Sequence, residues 1–348
     1  MGRNGTPRVV VIGLGGTIAM TGSPTGGAVP ALTAAQLLAA LPGLDGVDVD
    51  TVDLRHVPGA SVSLADVAAA REVIGSRLAA GADGVVVTQG TDTIEETSYL
   101  LDLTYGGSAA VVVTGAMRNP SLAGADGPAN LLAAIRTAAN PRSGDQGVLV
   151  VFADEIHAAR RVRKTHSSST GAFRSPDGGP LGYVVEGRPQ LLSRLTHRTI
   201  VPVPDGAPTP RVGLVTVTLG DDGAALAGAA QRYDGLVVAG FGVGHVPEPM
   251  VAPLAELAGR IPVVLASRTG AGPVLAGMYA FPGSEHDLLE RGLLRAGFLD
   301  PLKARLLLWT LLRATTDREV IAAAFAVAGG YADPVGWPWR SGPEGSPA

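Results

Sequence analysis

The chain has 348 residues, of which 46% are apolar and 4% aromatic, and 27 basic and 31 acidic residues give it a formal net charge of −4. The basic residues form no block that could follow a phosphate backbone, which argues against nucleic acid as a partner. The absence of cysteine excludes disulfides, thiol nucleophiles and cysteine metal ligands, so any chemistry must use oxygen or nitrogen groups.

The N-terminal segment predicts a first β-strand over residues 8–14. Its apolar run is too short, and too interrupted by glycine, for a signal peptide. No later stretch reaches the roughly eighteen uninterrupted apolar residues that a membrane-spanning helix needs. The sequence therefore predicts a soluble, cytoplasmic protein with no membrane partner, and its length allows two hydrophobic cores.

Apolar runs of strand length alternate with helix-like stretches through the first half of the chain. The predicted strands are residues 8–14, 49–54, 84–88, 110–114 and 147–152. Between them, residues 64–78 repeat apolar side chains at helical spacing, and the pairs Thr33 with Gln36 and Thr93 with Glu96 have the spacing of capping boxes. This alternation predicts a parallel sheet with helices on both faces.

The second half repeats the strand theme after a break. Residues 181–192 predict a β-hairpin that turns near Glu186 and Gly187, and four prolines mark residues 197–210 as a linker. Strand-like runs then begin near residues 211, 234 and 260, with helical stretches predicted at 224–233, 249–258, 301–312 and 317–328. We predict an α/β fold with a larger N-terminal domain (1–195), a linker (196–210), a smaller C-terminal domain (211–335) and a tail (336–348).

Two strand ends carry candidate chemistry. The first strand ends in GLGGTIAM, a glycine turn that leads to Thr17 at the edge where open α/β sheets bind ligands. The third glycine of G-x-G-x-x-G is missing, which argues against a dinucleotide cofactor. In VVVTQGTDTIEET another glycine turn precedes Thr91 and Asp92. Alone, Thr17 reads as a turn residue and Asp92 as a partner of the helix dipole, but two threonines at one edge favour a site.

A threonine nucleophile needs a base, because an unassisted hydroxyl is weak at neutral pH. Lys164, in RRVRKTHSSST, is the candidate base, with Asp92 as its charge partner and Thr91 or a water as its proton donor. Taken alone, this segment reads as a solvated basic run on a surface loop.

Four motifs resemble, in the same order, those of the bacterial L-asparaginase and glutaminase-asparaginase family. They are GGTIA around Thr17, TQGTDTIEET around Thr91, VTGAMRNP followed by ADGPANL, and RKTHSSST around Lys164. The resemblance runs from about Val9 to about Val327. It implies two α/β domains, active sites completed across an intimate homodimer, and two dimers forming a tetramer, with no cofactor and no metal.

The resemblance also implies roles for individual residues. Thr17 attacks the side-chain amide of the substrate or assists that attack, while Thr91, Asp92 and Lys164 form a second threonine cluster. Which threonine forms the acyl-enzyme stays open. Asp92 also binds the α-amino group, and backbone N–H groups near Thr91 hold the developing oxyanion. Small residues of the motifs add further substrate contacts: Gly16, Gly90 and Ala116.

Three positions depart from the family pattern. The lid tyrosine that many members carry after the first strand is missing, and a gapless alignment puts Gly27 there. Where a serine usually holds the α-carboxylate, His56 and Ser61 are both candidates, with Ser61 slightly preferred; alone, either reads as a turn residue. His245 stands where asparagine is common in the family; taken alone, it would be interpreted as a loop histidine near an interface. Glu285 is the candidate acid that a subunit contributes across the dimer to the α-amino group.

The predicted function is hydrolysis of L-asparagine to L-aspartate and ammonia. One alternative is a glutaminase-asparaginase of broader specificity. The amidase subunit of a tRNA-dependent amidotransferase is less favoured, because such a subunit carries an extra N-terminal domain and this chain begins at the first strand. The alternative from another class is a binding protein that grips an amino acid in its glycine turns without turnover.

Overall fold

The computed structural model describes residues 5–22, 28–30, 32–39 and 41–339. Gly27 and residues 340–348 of the predicted tail therefore lie outside the described residues. The chain divides into two compact units, Met1–Arg198 and Thr199–Ala348, each with its own largely parallel sheet. The predicted two-domain α/β fold is confirmed. No helix within the described ranges combines the length and the apolar character needed to cross a membrane.

The first unit is built around one large mixed sheet. Its strands are, in chain order, β1 Arg8–Gly15, β2 Met20–Gly22, β3 Ala28–Pro30, β4 Asp48–Val57, β5 Gly84–Thr88, β6 Ala110–Thr114, β7 Val148–Phe152, β8 Glu155–Ala158, β9 Arg163–Lys164, β10 Phe173–Arg174, β11 Gly182–Val185 and β12 Arg188–Leu191. Eight of the described strands form the main sheet, in the order β12-β11-β8-β7-β6-β5-β1-β4. Five adjacent strands of this sheet are parallel, namely β4, β1, β5, β6 and β7. The sheet continues through β8, β11 and β12 with antiparallel pairings.

The central strands of this sheet are buried along their whole length. Every residue of β5, β6 and β7 is inaccessible to solvent, as expected for parallel strands with both faces covered. Helices pack against this sheet: α1 Ala34–Ala39, α2 Leu64–Ala79, α3 Ile94–Thr104 and α4 Gly127–Ala139. The valine runs that predicted strands therefore form the core of the unit.

The predicted strands agree best with the structure in this core. Residues 84–88 and 110–114 are found as predicted, whereas the strand predicted at 49–54 spans Asp48–Val57. Among the strands that the structure describes, β4 pairs with β1 alone at the edge of the sheet. It is partly exposed, so its ends carry no apolar signal. The predicted hairpin is confirmed, with φ of 49° at Glu186 and 69° at Gly187 in its two-residue turn.

Helix starts were only partly predictable. The Thr33 box is confirmed, because Thr33 N donates to Gln36 Oε1 at 2.9 Å and Gln36 N donates to Thr33 Oγ1 at 3.2 Å. Helix α2 begins with another reciprocal box, between Ser63 and Asp66, that the sequence analysis did not single out. Its acid is an aspartate where the usual motif has glutamate or glutamine.

The second unit has a smaller parallel sheet. Its strands, adjacent in chain order, are β13 Val212–Thr216, β14 Gly235–Gly240, β15 Val263–Ser267 and β16 Leu294–Arg295. Its helices are α5 Ala229–Arg232, α6 Val251–Arg260, α7 Glu285–Glu290, α8 Pro301–Ala314 and α9 Arg318–Ala328. The helix predicted at 224–233 is instead a 3₁₀ turn, Ala224–Leu226, followed by the short α5. Gly228, with φ of 65°, separates the two.

A buried histidine lies on β8. The His157 side chain is fully buried, with Nδ1 3.0 Å from Ser175 Oγ. Its Nε2 lies 3.3 Å from Glu155 Oε2 but without hydrogen-bond geometry. Burial lowers the pKa of His157 to about 4, and the positive charge of Arg174 acts in the same direction. The folded protein therefore keeps this ring neutral at neutral pH.

We expect this histidine to make the protein less stable as the pH falls from 7 to 5. In the unfolded chain a histidine has a pKa of about 6.5, so the unfolded state binds a proton that His157 in the folded state accepts only near pH 4. The free energy of unfolding should fall by roughly 2 kcal/mol by pH 5. Urea unfolding at both pH values should show a loss smaller by that amount in His157→Gln; equal losses in the two proteins would contradict the expectation.

Candidate active site

Three neighbouring strands end level with one another at the carboxyl edge of the main sheet. Gly13 of β1 is in register with Thr88 of β5, which is in register with Thr114 of β6. Loops at the carboxyl edge of an open parallel sheet commonly form ligand sites. Six of the predicted site residues follow these strand ends: Gly16, Thr17, Gly90, Thr91, Asp92 and Ala116.

Three glycines, Gly16, Gly59 and Gly90, bring the loops after β1, β4 and β5 into direct backbone contact. A β-carbon on Gly90 would lie 2.5 Å from Gly59 N and 3.3 Å from Gly16 Cα. One on Gly16 would overlap the Gly90 backbone, and Gly16 also has a φ of 82°. Only glycine fits this arrangement, which we call the glycine contact. Thr17 and Thr91 each lie one residue beyond it and are therefore neighbours in space.

A side-chain bridge fastens the glycine contact. Gln89 Nε2 donates to Thr93 Oγ1 at 3.1 Å and to Gly90 O at 3.3 Å, and Thr93 Oγ1 donates to Gly59 O at 3.0 Å. The predicted capping box from Thr93 to Glu96 is wrong, because the Thr93 side chain makes no capping hydrogen bond to the helix. Its hydroxyl instead hydrogen-bonds to Gln89 and to Gly59 O, and so connects the loops that follow β5 and β4.

Lys164 brings its ammonium group to the second threonine. Its Nζ lies 2.9 Å from Thr91 Oγ1 and 3.0 Å from Asp92 Oδ1. The Thr91 residue is 6% exposed and the Lys164 side chain 15%, whereas the Asp92 side chain is 59% exposed. Such an exposed carboxylate adds little to stability through its ion pair. The pair instead orients the ammonium next to the Thr91 hydroxyl, so three of the predicted catalytic residues are in mutual contact.

Thr17 opens a short 3₁₀ turn on the other side of the glycine contact. The turn spans Thr17–Ala19, and Ala19 N donates to Gly16 O at 2.9 Å. Thr17 is half-buried at this edge of the sheet. A β-carbon on Gly127 would lie 3.0 Å from Ile18 and 3.4 Å from Ala116, which places the buried Ala116 against the same turn.

The two candidate residues for binding the α-carboxylate lie near the end of β4 and in the turn that follows it. Ser61 ends the 3₁₀ turn Gly59–Ser61, and His56 belongs to edge strand β4. Both side chains are exposed. Ser61 is part of the turn that the glycine contact holds against Gly90, whereas His56 precedes that turn.

His245 and Glu285 both lie in the second unit, where they contact each other. His245 Nε2 is 3.1 Å from Glu285 Oε2, and the backbone N–H groups of Met278 and Tyr279 donate to Glu285 Oε1 at 2.8 and 2.9 Å. Burial raises the pKa of Glu285, but the backbone donors and the His245 ring outweigh it, so the pKa lies below its ordinary value. The fully buried carboxylate is therefore ionised, and it organises this loop.

The loop held by Glu285 exposes large apolar side chains around His245. The His245 ring makes edge contacts with Tyr279 and Phe281, with 4.9 Å between ring centroids in each case. Met278, Tyr279 and Phe281 are 68%, 45% and 46% exposed. We call these three residues the aromatic patch. Adjacent exposed apolar side chains of this size are typical of a surface that binds another molecule.

The glycine-rich turn after β1 faces protein backbone and not an open cradle. A β-carbon on Gly15 would overlap Val57, and one on Gly16 would overlap Gly90. In the direction in which a side chain would project, both glycines therefore contact protein backbone. Among the described residues, no three histidine, aspartate or glutamate side chains are grouped as metal ligands would be.

Gly59 and Gln89 belong to the site but carry little signal in the sequence. The pair Pro58-Gly59 is typical of a turn after a strand, but nothing near it indicates contact with Gly90. Gln89 is a polar residue directly after a buried valine run, which marks it only as the end of a strand.

Comparisons with known proteins agree over both units. The family model described as Asparaginase, N-terminal, matches residues 8–197, and the Glutaminase/Asparaginase C-terminal domain matches residues 211–325. A probable L-asparaginase of Deinococcus radiodurans is 40% identical over 327 residues, which cover 92% of this chain and 97% of that protein. An L-asparaginase of Bacillus licheniformis is 31% identical over 309 residues, covering 88% and 95%. The crystal structure of a probable cytoplasmic L-asparaginase from Campylobacter jejuni matches with a TM-score of 0.82 and 32% identity, covering 92% and 99%.

We expect Gly90→Ala to destabilise the protein, because the added methyl group must displace the Gly59 backbone. Overpacking of this kind costs about 1–3 kcal/mol. Gly75→Ala is the matched control: Gly75 lies in helix α2 with open space around it, and alanine there should stabilise by about 0.5–1 kcal/mol. Thermal unfolding distinguishes the two, and a Gly90→Ala melting temperature at or above that of the wild type would contradict the steric account.

Proposed function

The chain belongs to the asparaginase family over both of its domains, and from this premise we propose that it hydrolyses L-asparagine to L-aspartate and ammonia. Family membership makes the protein an amidohydrolase. The observation that carries the proposal is the contact of Lys164 Nζ with Thr91 Oγ1 at 2.9 Å and with Asp92 Oδ1 at 3.0 Å. This contact gives a threonine hydroxyl a nitrogen base within proton-transfer distance.

In the proposed reaction, one threonine oxygen attacks the side-chain amide carbon of asparagine. The proton of the attacking hydroxyl is transferred through the base to the amide nitrogen, so that the C–N bond of the tetrahedral intermediate breaks and ammonia leaves. The resulting acyl-threonine ester is then hydrolysed by water to aspartate and free threonine. Thr17 makes or assists the attack, while Lys164 in its neutral form accepts the proton of Thr91 or of a water. The half-buried position of Thr17, one residue from the glycine contact, supports this pairing.

Substrate recognition is proposed to use the loops around the glycine contact. Asp92 binds the α-amino group, which its 59% exposed carboxylate can reach. Ser61 is the preferred partner of the α-carboxylate over His56, because its turn is fixed against Gly90. Backbone N–H groups at Gly90 and Thr91 hold the oxyanion, an interaction worth roughly 3 kcal/mol at comparable sites. Gly16 and Ala116 are proposed to add further contacts to the substrate.

We further propose that the chain works as a homo-oligomer, a dimer of dimers in its complete form. The aromatic patch supports this, because Met278, Tyr279 and Phe281 expose apolar surface beside His245. In this proposal the His245 segment and Glu285 act at the site of a neighbouring subunit. Since Glu285 is fully buried and bonded to His245, its influence on the α-amino group would pass through the loop it holds.

Two other functions stay open to test. A glutaminase-asparaginase of broader specificity would use the same threonines, and the family description of the second domain includes glutaminases. An amino-acid-binding protein without turnover would have no use for a lysine beside Thr91.

The cytoplasmic description of the Campylobacter relative supports a cytoplasmic location for this chain as well.

We expect the purified protein to release ammonia from L-asparagine faster than from L-glutamine or D-asparagine. Thr17→Ala, Thr91→Ala and Lys164→Met should each lower kcat by at least about 10³-fold, since removing one member of such a unit removes most of its effect. Ammonia release is the measurement, with melting temperatures confirming that each variant is folded. Thr104→Val, which removes a helix hydroxyl bonded to Leu100 O, is the control and should keep wild-type kcat.

The outcomes separate the candidate functions. Comparable rates on asparagine and glutamine would favour the broader specificity. A higher melting temperature with an amino acid but no ammonia would favour the binding protein. Full activity in Thr17→Ala or Lys164→Met would remove that residue from the mechanism.

We expect Phe281→Asp to lower both the oligomeric mass and the activity. The substitution places a charge in the aromatic patch, which a neighbouring subunit would have to desolvate. Val335→Asp, at another exposed apolar residue of the same unit, is the matched control and should change neither. Light scattering gives the mass, and a monomeric wild type at full activity would contradict the shared site.

A further inference from the structure

Lys164 sits on a hairpin that is too short to hold itself. Its strands β9 and β10 share two residue pairs, Phe173 with Lys164 and Arg174 with Arg163. One further backbone bond extends the ladder, from Thr165 N to Ala172 O at 2.7 Å. An isolated two-stranded ribbon is marginal in water even when it is longer. The position of the Lys164 ammonium therefore depends on what anchors the hairpin to the main sheet.

The β9 side is held through its backbone, where the buried Val162 donates its N–H to Ala158 O at 3.1 Å, and three consecutive residues of the β10 side add side-chain anchors. Phe173 packs on Phe152 of β7, with ring centroids 4.7 Å apart. Arg174 Nη1 donates to Glu155 Oε1 at 2.7 Å, and Ser175 Oγ lies 3.0 Å from His157 Nδ1. The first of these anchors, Phe173, is the residue that pairs with Lys164, so the three anchors hold the strand against which the lysine's own backbone is paired.

The three anchors differ in kind. The Phe173 contact is apolar and tolerates sliding, because it has no required direction. The Arg174 side chain is 53% exposed, and ion pairs at such sites contribute little. The hydrogen bond between Ser175 and His157 is directional and buried, with the two residues 8% and 0% exposed. Removing one partner would leave the other without a bond inside the protein, which is costly.

The charges around His157 assign the direction of this bond. Nε2 faces the Glu155 carboxylate at 3.3 Å, which favours the tautomer with its proton on Nε2. Nδ1 then accepts the hydrogen bond from the Ser175 hydroxyl. The order serine, histidine, acid is that of a hydrolase triad, but here Nδ1 and not Nε2 faces the serine, and both side chains are buried away from any substrate.

We propose that His157 and Ser175 are positioning residues for Lys164, pinning the β9–β10 hairpin so that the ammonium group stays beside Thr91 and Asp92. The proposal rests on the proposed amidohydrolase reaction, in which Lys164 is the base. Displacing a catalytic group by about 1 Å can cost on the order of 100-fold in rate. Loss of the hydrogen bond between His157 and Ser175 should therefore lower kcat more than it changes KM.

The chain has two lysines, Lys164 and Lys303, so chemical labelling of lysine can compare these two side chains directly. The Lys303 side chain is 1% exposed and pairs with Asp300 at 2.8 Å in the second unit. Reductive methylation followed by peptide mass spectrometry thus reports the accessibility of Lys164 directly, with Lys303 as an internal reference for global opening. This readout does not depend on activity.

The variants are Ser175→Ala and His157→Leu, which remove the bond, and His157→Asn, whose amide can occupy the position of Nδ1. Thr310→Ala is the matched control, because it removes a fully buried hydroxyl that bonds to Leu306 O within helix α8. We expect the first two variants to lower kcat by about 10- to 100-fold with KM changed less than about threefold. Their ratio of Lys164 to Lys303 labelling should rise several-fold, and His157→Asn should recover much of both losses.

Three results would overturn the proposal. They are a kcat in Ser175→Ala and His157→Leu equal to that of Thr310→Ala, parallel increases in labelling at both lysines, and no recovery in His157→Asn. If the wild type releases no ammonia from any amide substrate, the proposed function fails instead. The ratio of Lys164 to Lys303 labelling then still decides whether the hydrogen bond between His157 and Ser175 holds Lys164 in place.

Discussion

The backbone contact of Gly16, Gly59 and Gly90 is the constraint on which the site depends. No side chain fits between these loops, so the ends of β1, β4 and β5 are held at van der Waals distance. The hydrogen bonds from Gln89 to Thr93, and from Thr93 to Gly59, close this frame with polar groups. Thr17 and Thr91 then extend from touching loops at the edge of a buried sheet, so the glycine contact limits how far the two threonines can separate.

The other parts of the site are attached to this frame from outside it. Lys164 comes from a two-residue ladder, and its neighbours on β10 connect it to β7 and β8. Because the glycine contact holds the loops that carry the two hydroxyls and the hairpin carries the ammonium, different parts of the fold position the proposed nucleophile and the proposed base. Rigid groups prearranged in this way lower the reorganisation needed during reaction.

The sequence predicted what depends on short-range pattern. The valine runs of β5 and β6 and the turn at Glu186 and Gly187 were found as expected, because burial on two faces and a left-handed turn each leave a local signature. Family motifs marked Thr91, Asp92 and Lys164 as one cluster. The role of Thr93 was misjudged, because its hydroxyl has two competing partners and only the fold decides between the helix end and Gly59. His157 gave no signal, since its partner Ser175 lies 18 residues away.

The scarcity of lysine in this chain has a practical consequence for handling the protein. Of its two amino side chains, the Lys303 amine is shielded and Lys164 is the proposed base. Coupling reagents aimed at surface amines, as used for attaching polymers, dyes or solid supports, would react at the amino terminus or at Lys164, the proposed base. Conjugation through a cysteine introduced into this cysteine-free chain would leave both Lys164 and the exposed carboxylate of Asp92 unmodified.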